Sequence, residues 1–390
     1  MLLWLLHHLA SAWPALAGSS RLDTLAKITF RGSLAALTGF VLAICLGPRV
    51  IRWLKTRFRE PIRSDSAELC RLHQDKASTP TMGGLFLIAG LFGGVVAFGD
   101  LSNRCLQAAL LVAFGLAVVG AVDDLTKLFG RAAGISARAK LLGQVLVAGA
   151  AAGLVYQHHA TLADGLQCRI PLVGTSFSLG PWFIPWAVLV IVGSSNAVNL
   201  TDGLDGLAGG CLLFAAAAMA LIAYACGHAE LAVYLHLPRI PGAGEMTVVA
   251  GGMIGGVMGF LWFNCHPAQV FLGDTGSLPL GGLLGLLAVI SRQEILLLLI
   301  GGVFVVETAS VILQVGYYKW RRRRIFLCAP LHHHFQFQGW PETRIVVRFW
   351  IASALCGLLG LATLKLDVRQ PPSRHPNQTV AARAGIGVAR

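Results

Sequence analysis

Long uncharged apolar runs alternate with short polar segments over most of the chain. Ten runs stand out, at residues 28–48, 83–99, 105–122, 141–157, 181–198, 207–227, 247–263, 278–290, 295–318 and 349–366. Each predicts a membrane-spanning helix, and together they predict an all-α polytopic integral membrane protein with about ten transmembrane helices. Several runs fall short of the roughly 20 residues that cross ~30 Å of hydrocarbon, so their helices must extend into the flanking polar segments. Residues 1–18 form an eleventh apolar run, in which Ala15-Leu16-Ala17 resembles a cleavage site. No basic stretch precedes it, and His7, His8 and Pro14 interrupt it. That favours an uncleaved helix at the membrane surface over a signal peptide. The expected organisation is an interfacial segment at 1–27, a ten-helix transmembrane domain at 28–366 and a disordered periplasmic tail at 367–390.

Composition excludes the main alternatives. Hydrophobic residues make up 55% and charged residues 13%, about half the charged share of a soluble chain, and mean hydropathy is +0.69. Disorder, a coiled coil and a disulfide scaffold do not fit these values. The 46 glycines suit close helix–helix approach in lipid. The nine cysteines are scattered and never form a CxxC pair, so they predict small core residues, without disulfides or a zinc site. The formal net charge of +13 comes without a lysine-rich arm interleaved with aromatics, and no nucleic-acid partner is expected.

Charge distribution sets the orientation. With ten crossings, the segments 49–82, 123–140, 199–206, 264–277 and 319–348 share one side of the membrane. They carry 19 of the 31 Lys and Arg residues, and the opposite segments with both tails carry 11. Five of those 11 lie in the tail from 365 onward, and Arg31 sits at a boundary. By the positive-inside rule the first set is cytoplasmic and both termini are periplasmic. The unusual carboxylates, histidines and amides fall in the same set. Scattered structural polar residues have no reason to sort by face, so a single site built from five loops on the cytoplasmic face is expected.

Asp123-Asp124 directly follows an uncharged run, with Lys127 just beyond. Two carboxylates at a membrane boundary repel each other and lose hydration, so they need a cation or a shared proton; solvated acids at a helix end are the bland alternative. Asn196, Asn199, Asp202, Gly203, Leu204, Asp205 and Gly206 combine amides with two Asp-Gly pairs. Such a loop offers donors and acceptors to a base, a ribose or a metal beyond any turn-forming role. Phe271-Leu272-Gly273-Asp274-Thr275-Gly276-Ser277, preceded by Asn264 and Pro267, sets Asp274 among small residues and hydroxyls, as a metal–phosphate site or a helix N-terminus would require. His332-His333-His334 follows the run Arg321 to Arg324. Consecutive side chains do not readily converge on one ion, so phosphate binding or acid–base work is expected in place of zinc. Lys76 precedes the turn-forming Thr79-Pro80-Thr81-Met82-Gly83-Gly84, and Glu307 lies inside an apolar run as either a packing or a functional acid.

These segments together resemble the phospho-N-acetylmuramoyl-pentapeptide transferase family, within the polyprenyl-phosphate N-acetylhexosamine-1-phosphate transferase superfamily. The resemblance spans residues 49–366. It rests on Lys76 with Thr79 to Gly84, Asp123-Asp124, Asn199 to Ala208, Asn264 with Phe271 to Ser277, and Ala329 to Phe335. The last segment, with Gly339-Trp340-Pro341-Glu342, favours this family over relatives that transfer N-acetylglucosamine phosphate. The resemblance implies a Mg²⁺-dependent enzyme of the bacterial inner membrane with UDP-MurNAc-pentapeptide and undecaprenyl phosphate as partners, and it leaves a homodimer open. It also implies roles for particular residues. Asp274 would be the principal metal ligand, with Asp123 and Asp124 acting on metal or phosphates. Phe271 would stack on uracil beside Asp205 and Asn264. Lys76, Thr81, Asn199, Asp202, Gly203 and Leu204 would line the nucleoside and phosphate region, with His332, His333 and His334 binding substrate and His332 contacting phosphate. Two rivals stand beside this reading: a sister transferase with another UDP-sugar, and a transporter. Transporters place ionisable residues near the bilayer midplane, often in repeated halves, whereas here they sort to one face and no internal repeat is visible.

Overall fold

The computed structural model describes residues 24–57, 76, 79–129, 134–162, 164–171, 173 and 175–365. The surface helix expected at 1–18 and the tail at 367–390 lie outside the described residues. Each predicted apolar run corresponds to helix among the described residues, and several helices extend into the flanking segments, whereas that of the run 83–99 does not. They are α1 (Ile28–Arg57), α2 (Gly84–Phe98), α3 (Arg104–Leu128), α4 (Ala137–His159), α5 (Phe183–Thr201), α6 (Leu207–Gly227), the short α7 (Ala229–Tyr234), α8 (Glu245–Asn264), α9 (Asp274–Ser291), α10 (Glu294–Ile300), α11 (Gly302–Arg321), α12 (Leu331–Phe337) and α13 (Glu342–Thr363).

Eight helices among the described residues are long and apolar enough to cross a membrane, and α2 is shorter at 15 residues. The run at 295–318, expected as one span, is broken. Helices α10 and α11 meet at Gly301-Gly302 and diverge by 88°. A glycine pair is a recognised place for a sharp helix break, because no side chain packs to hold the turn. A second departure from the all-α expectation is a two-stranded antiparallel hairpin, β1 (Gln167–Ile170) with β2 (Thr175–Ser178), in register Gln167↔Ser178 and Ile170↔Thr175. It sits at the C-terminal end of α9, where Arg292 Nη1 donates to the Gly165 carbonyl at 2.5 Å.

Helix α9 is the axis of the bundle. All of its residues are buried, chiefly against α3 and α5. Its sequence, Asp-Thr-Gly-Ser followed by small and aliphatic residues, is polar only in the first turn. Burial in a helix-lined interior therefore suits everything except that first turn, which needs polar partners. On one flank α1, α2 and α8 pack together, pinned by a buried pair in which Arg31 meets Glu245 at 2.5 and 3.0 Å. Arg31 also donates to the Phe98 carbonyl and Glu245 accepts from Asp100 N–H, so both buried charges are fully bonded. That lock lies at the N-terminal end of α8, and the residues expected to do chemistry gather at the other end. The eight described cysteines are all free.

Candidate active site

The first turn of α9 finds its partners on α3. Helix α3 runs past its apolar stretch to Leu128, so Asp123 and Asp124 are helical and not in a loop as the sequence suggested. Asp124 serves as a remote cap for α9. Its carboxylate accepts from Asp274 N–H at 3.2 Å, Thr275 N–H at 2.9 Å and Thr275 Oγ1 at 2.7 Å. A carboxylate at a helix N-terminus satisfies otherwise orphaned donors and meets the positive end of the dipole. Gly273, at φ 70°, makes the turn into α9, and a side chain there would collide with Asp124 and Thr81.

Asp123, Asp124 and Asp274 consequently converge, with one oxygen from each within 4.8 Å of the others. Two lysines partly neutralise them. Lys127 lies 2.9 Å from Asp123 and 3.2 Å from Asp274, while Lys140 contacts Asp274 and lies 3.5 Å from Asp123. Asn199 Nδ2 donates to Asp274 Oδ1 at 2.9 Å. Asp202 shares the cleft; burial, followed by the Asp274, Asp124 and Asp205 carboxylates, pushes its carboxyl up to about 7. Three carboxylates against two ammonium groups leave negative charge in excess, with a fourth carboxyl held back from ionising. The set is all hard oxygen and fits a divalent cation such as Mg²⁺.

A cleft of about 240 Å³ opens beside this cluster. It is lined by Lys76, Thr81, Asp124, Lys127, Asn199, Asp202, Gly203, Leu204, Asp205, Asn264, Phe271, Gly273 and Asp274. Four of the five segments singled out in the sequence thus line one cleft, and the fifth, which carries the histidines, does not. At its far wall Lys76 bridges Asp205 and Glu342, each at 2.6 Å. Asp205 is further engaged by His266 and Ala268 N–H at 3.1 Å, and its own N–H donates to Glu342 at 2.7 Å. Asn264 uses both ends of its amide on the backbone, accepting from Gly206 N–H and donating to the Val270 carbonyl, each at 2.9 Å. Asp205 and Asn264, expected to face a base, are therefore committed to fixing the loops around it. Phe271 is half-buried in the cleft wall. Its backbone pairs with residues 80 and 83: Phe271 N–H donates to Pro80 O, and Gly83 N–H donates to Phe271 O, both at 2.8 Å.

The three histidines diverge, as adjacent side chains should. His332 is fully buried and faces Glu307, with Nδ1 3.2 Å from Oε2. The His333 ring lies against His332 and reaches Gln336 at 2.7 Å. His334 accepts from Leu327 N–H at 3.1 Å and meets Gln338 at 3.0 Å, which ties down the preceding loop. Sequence reasoning missed Lys140, Thr275 and His266, and used Glu342 only as part of a pattern. Lys140 reads as a positive-inside anchor, and Glu342 as the first turn of a helix. Only tertiary contacts give either a role.

Next to the cleft runs an apolar groove of about 370 Å³ between α5 and the broken pair α10–α11, lined among others by Ala197, Val198, Phe304, Val305 and Ile312. The groove runs along α5 from Trp186 to Ala197 and Val198, the last being the residue before the cleft-lining Asn199.

Comparison with known proteins shows what the chain is similar to. Residues 106–292 match the family profile described as glycosyl transferase family 4. The chain is 47% identical over 359 residues to a protein of Solidesulfovibrio magneticus named phospho-N-acetylmuramoyl-pentapeptide-transferase, covering 90% of this chain and 98% of that one. A protein of the same name from Maridesulfovibrio salexigens is 47% identical, with the same coverage of each chain. Another from Nitratidesulfovibrio vulgaris is 49% identical over 87% of this chain and 94% of its own.

Proposed function

The chain belongs to the phospho-N-acetylmuramoyl-pentapeptide transferase family, and from that premise we propose that it transfers phospho-MurNAc-pentapeptide from UDP-MurNAc-pentapeptide to undecaprenyl phosphate. The products are UMP and the lipid-linked diphosphate called lipid I, a step of peptidoglycan synthesis. The observation that carries this reading is a carboxylate cluster and a polar cleft at one end of a membrane bundle, with an apolar groove running along the bundle between α5 and the α10–α11 pair. A water-soluble nucleotide and a lipid phosphate can meet at that end.

In the reaction an oxygen of the lipid phosphate attacks the sugar-linked phosphorus. A new phosphoanhydride P–O bond forms as the P–O bond to UMP breaks, and UMP leaves with the electron pair. One anhydride replaces another, so the protein must mainly align two anions and offset their charge. Asp274 and Asp123 are the residues that would hold Mg²⁺, with Asp124 contributing the side of its carboxylate not turned to Thr275. The bound ion supplies neutralisation of phosphate charge in line with the displacement. Lys127 and Lys140, now on Asp274 and Asp123, are placed to reach phosphate oxygens once those carboxylates turn to a metal. Asn199 orients Asp274. Phe271 presents a ring to the uracil, and Lys76, Asp205, Glu342 and Asn264 keep the loops around it in place. The groove beside Asn199 would take the polyprenyl chain, which needs apolar walls and no hydrogen bonds.

The excess of Lys and Arg on the site's side supports a site on the cytoplasmic face of the inner membrane, with both termini periplasmic. In a cysteine-free background, a membrane-impermeant thiol probe on intact cells whose outer membrane is permeabilised should label Arg239→Cys and spare Arg322→Cys, both of which are exposed positions. Labelling of Arg322→Cys alone would invert the orientation. The functional reading itself is tested with purified protein, undecaprenyl phosphate, Mg²⁺ and a panel of UDP-sugars. UMP release confined to the MurNAc-pentapeptide substrate supports it; release only with another UDP-sugar would move the chain to a sister activity.

A further inference from the structure

Glu307 is the acid that the sequence placed inside an apolar run without a role. It lies in the first half of α11, fully buried, one helical turn from the groove-lining Phe304 and next to Thr308. Both of its oxygens face α12. Oε1 accepts from His332 N–H at 3.1 Å, and Oε2 lies 3.2 Å from His332 Nδ1. His332 is also fully buried. A buried carboxylate without a cation is costly, and the imidazole is the one basic group in contact with it. On its other edge the ring presses on the loop that walls the cleft. Position 203 has to be glycine, because a side chain there would collide with His332 Nε2. Among the described residues neither ring nitrogen of His332, nor Glu307 Oε2, makes a hydrogen bond of regular geometry, and Gly203, against which Nε2 lies, lines the cleft.

We propose that Glu307 is a positioning residue for phosphoryl transfer, fixing the His332 ring at its Nδ1 edge so that Nε2 is turned toward Gly203, a residue of the cleft wall. The proposal rests on the reading that His332 meets substrate phosphate. Fixing one ring nitrogen by a carboxylate determines what the other can do. The carboxylate also grips the first turn of α12 through the His332 amide, so ring and backbone are set together. The charged and titratable groups facing the pair are His333 from α12, whose ring is 4.2 Å from that of His332, Asp202 beside Gly203, and Cys211 on α6. None of these replaces Glu307 as the counter-charge at Nδ1.

Glu307→Gln keeps the shape and an acceptor for the His332 amide while removing the charge. In Glu307→Gln, kcat should fall by about tenfold or more with KM for the nucleotide substrate changed less than about threefold. In a His332→Asn background, Glu307→Gln should add no further loss, since the two act as one unit. An unchanged kcat with only a lowered melting temperature would make Glu307 a helix cap and overturn the proposal. So would a full additional loss in the His332→Asn background. Wild-type activity in His332→Asn would instead remove the underlying reading of His332, and that outcome is distinguishable because it needs no change at Glu307.

Discussion

Asp274→Asn should lower turnover by at least about a hundredfold, the scale on which a single electrostatic stabiliser of a transition state is worth, while the protein stays folded in the membrane. Asp274 is the residue on which the acidic cluster converges. It meets Lys127, Lys140 and Asn199 and lies within ligand distance of Asp123 and Asp124. An amide keeps the oxygen that accepts from Asn199, and the Asp274 backbone N–H that Asp124 caps is untouched. The two lysines lose a partner but are partly open to water, so release costs little stability. Loss of activity with an unchanged melting curve is the expected pair of results. The same assay with EDTA should abolish wild-type turnover, and added Mg²⁺ should restore it. Full activity of Asp274→Asn, or of wild type in EDTA, would end the assignment of a metal to this cluster.

The second large effect is on binding. Phe271→Ala should weaken a uridine-containing inhibitor by roughly 1–3 kcal/mol, the range for base–aromatic stacking. The ring lines the cleft three positions before Asp274, while its neighbours Val270 and Leu272 are buried in the core. Its backbone is held on both sides by Pro80 and Gly83, so removing the ring leaves the loop in place. If Phe271 were instead a packing residue, the variant would lose thermal stability on the scale of a core Phe→Ala change, about 3–5 kcal/mol, and bind the inhibitor unchanged. Calorimetry beside a melting curve separates the two outcomes.

Much of this site was legible in the sequence because membrane proteins sort polar residues by face. Asp123, Asp124, Asp202, Asp274 and Lys76 stand out against an apolar background, and that contrast survives without any tertiary information. The apolar runs located the long helices, though not the short α7 and α12, for a related reason: in lipid, backbone hydrogen bonds must be met within the segment. What stayed hidden depends on contacts between segments. Lys140 looks like any anchor at a helix start until α4 packs beside α3. Glu342 looks like a first-turn acid until Lys76, 266 residues away in sequence, is found on it. The break at Gly301-Gly302 was invisible because hydropathy does not register direction. The resemblance implies a place beside the base for Asn264; it lines the cleft and, in a way the sequence could not reveal, also ties two backbone groups together. Glu307 seemed remote from the other motifs along its own helix, yet the return of the chain at α12 brings His332 onto it.

The central claim is the transfer of a phosphosugar, as opposed to a sugar alone. The measurement that tests it most directly is the intact mass of the lipid product formed from UDP-MurNAc-pentapeptide and undecaprenyl phosphate, read together with the nucleotide released. A lipid carrying a diphosphate bridge to MurNAc-pentapeptide, with one equivalent of UMP, is the predicted result. A monophosphate-linked glycolipid with release of UDP would mean that the sugar–phosphate bond breaks in place of the anhydride, and would contradict the account.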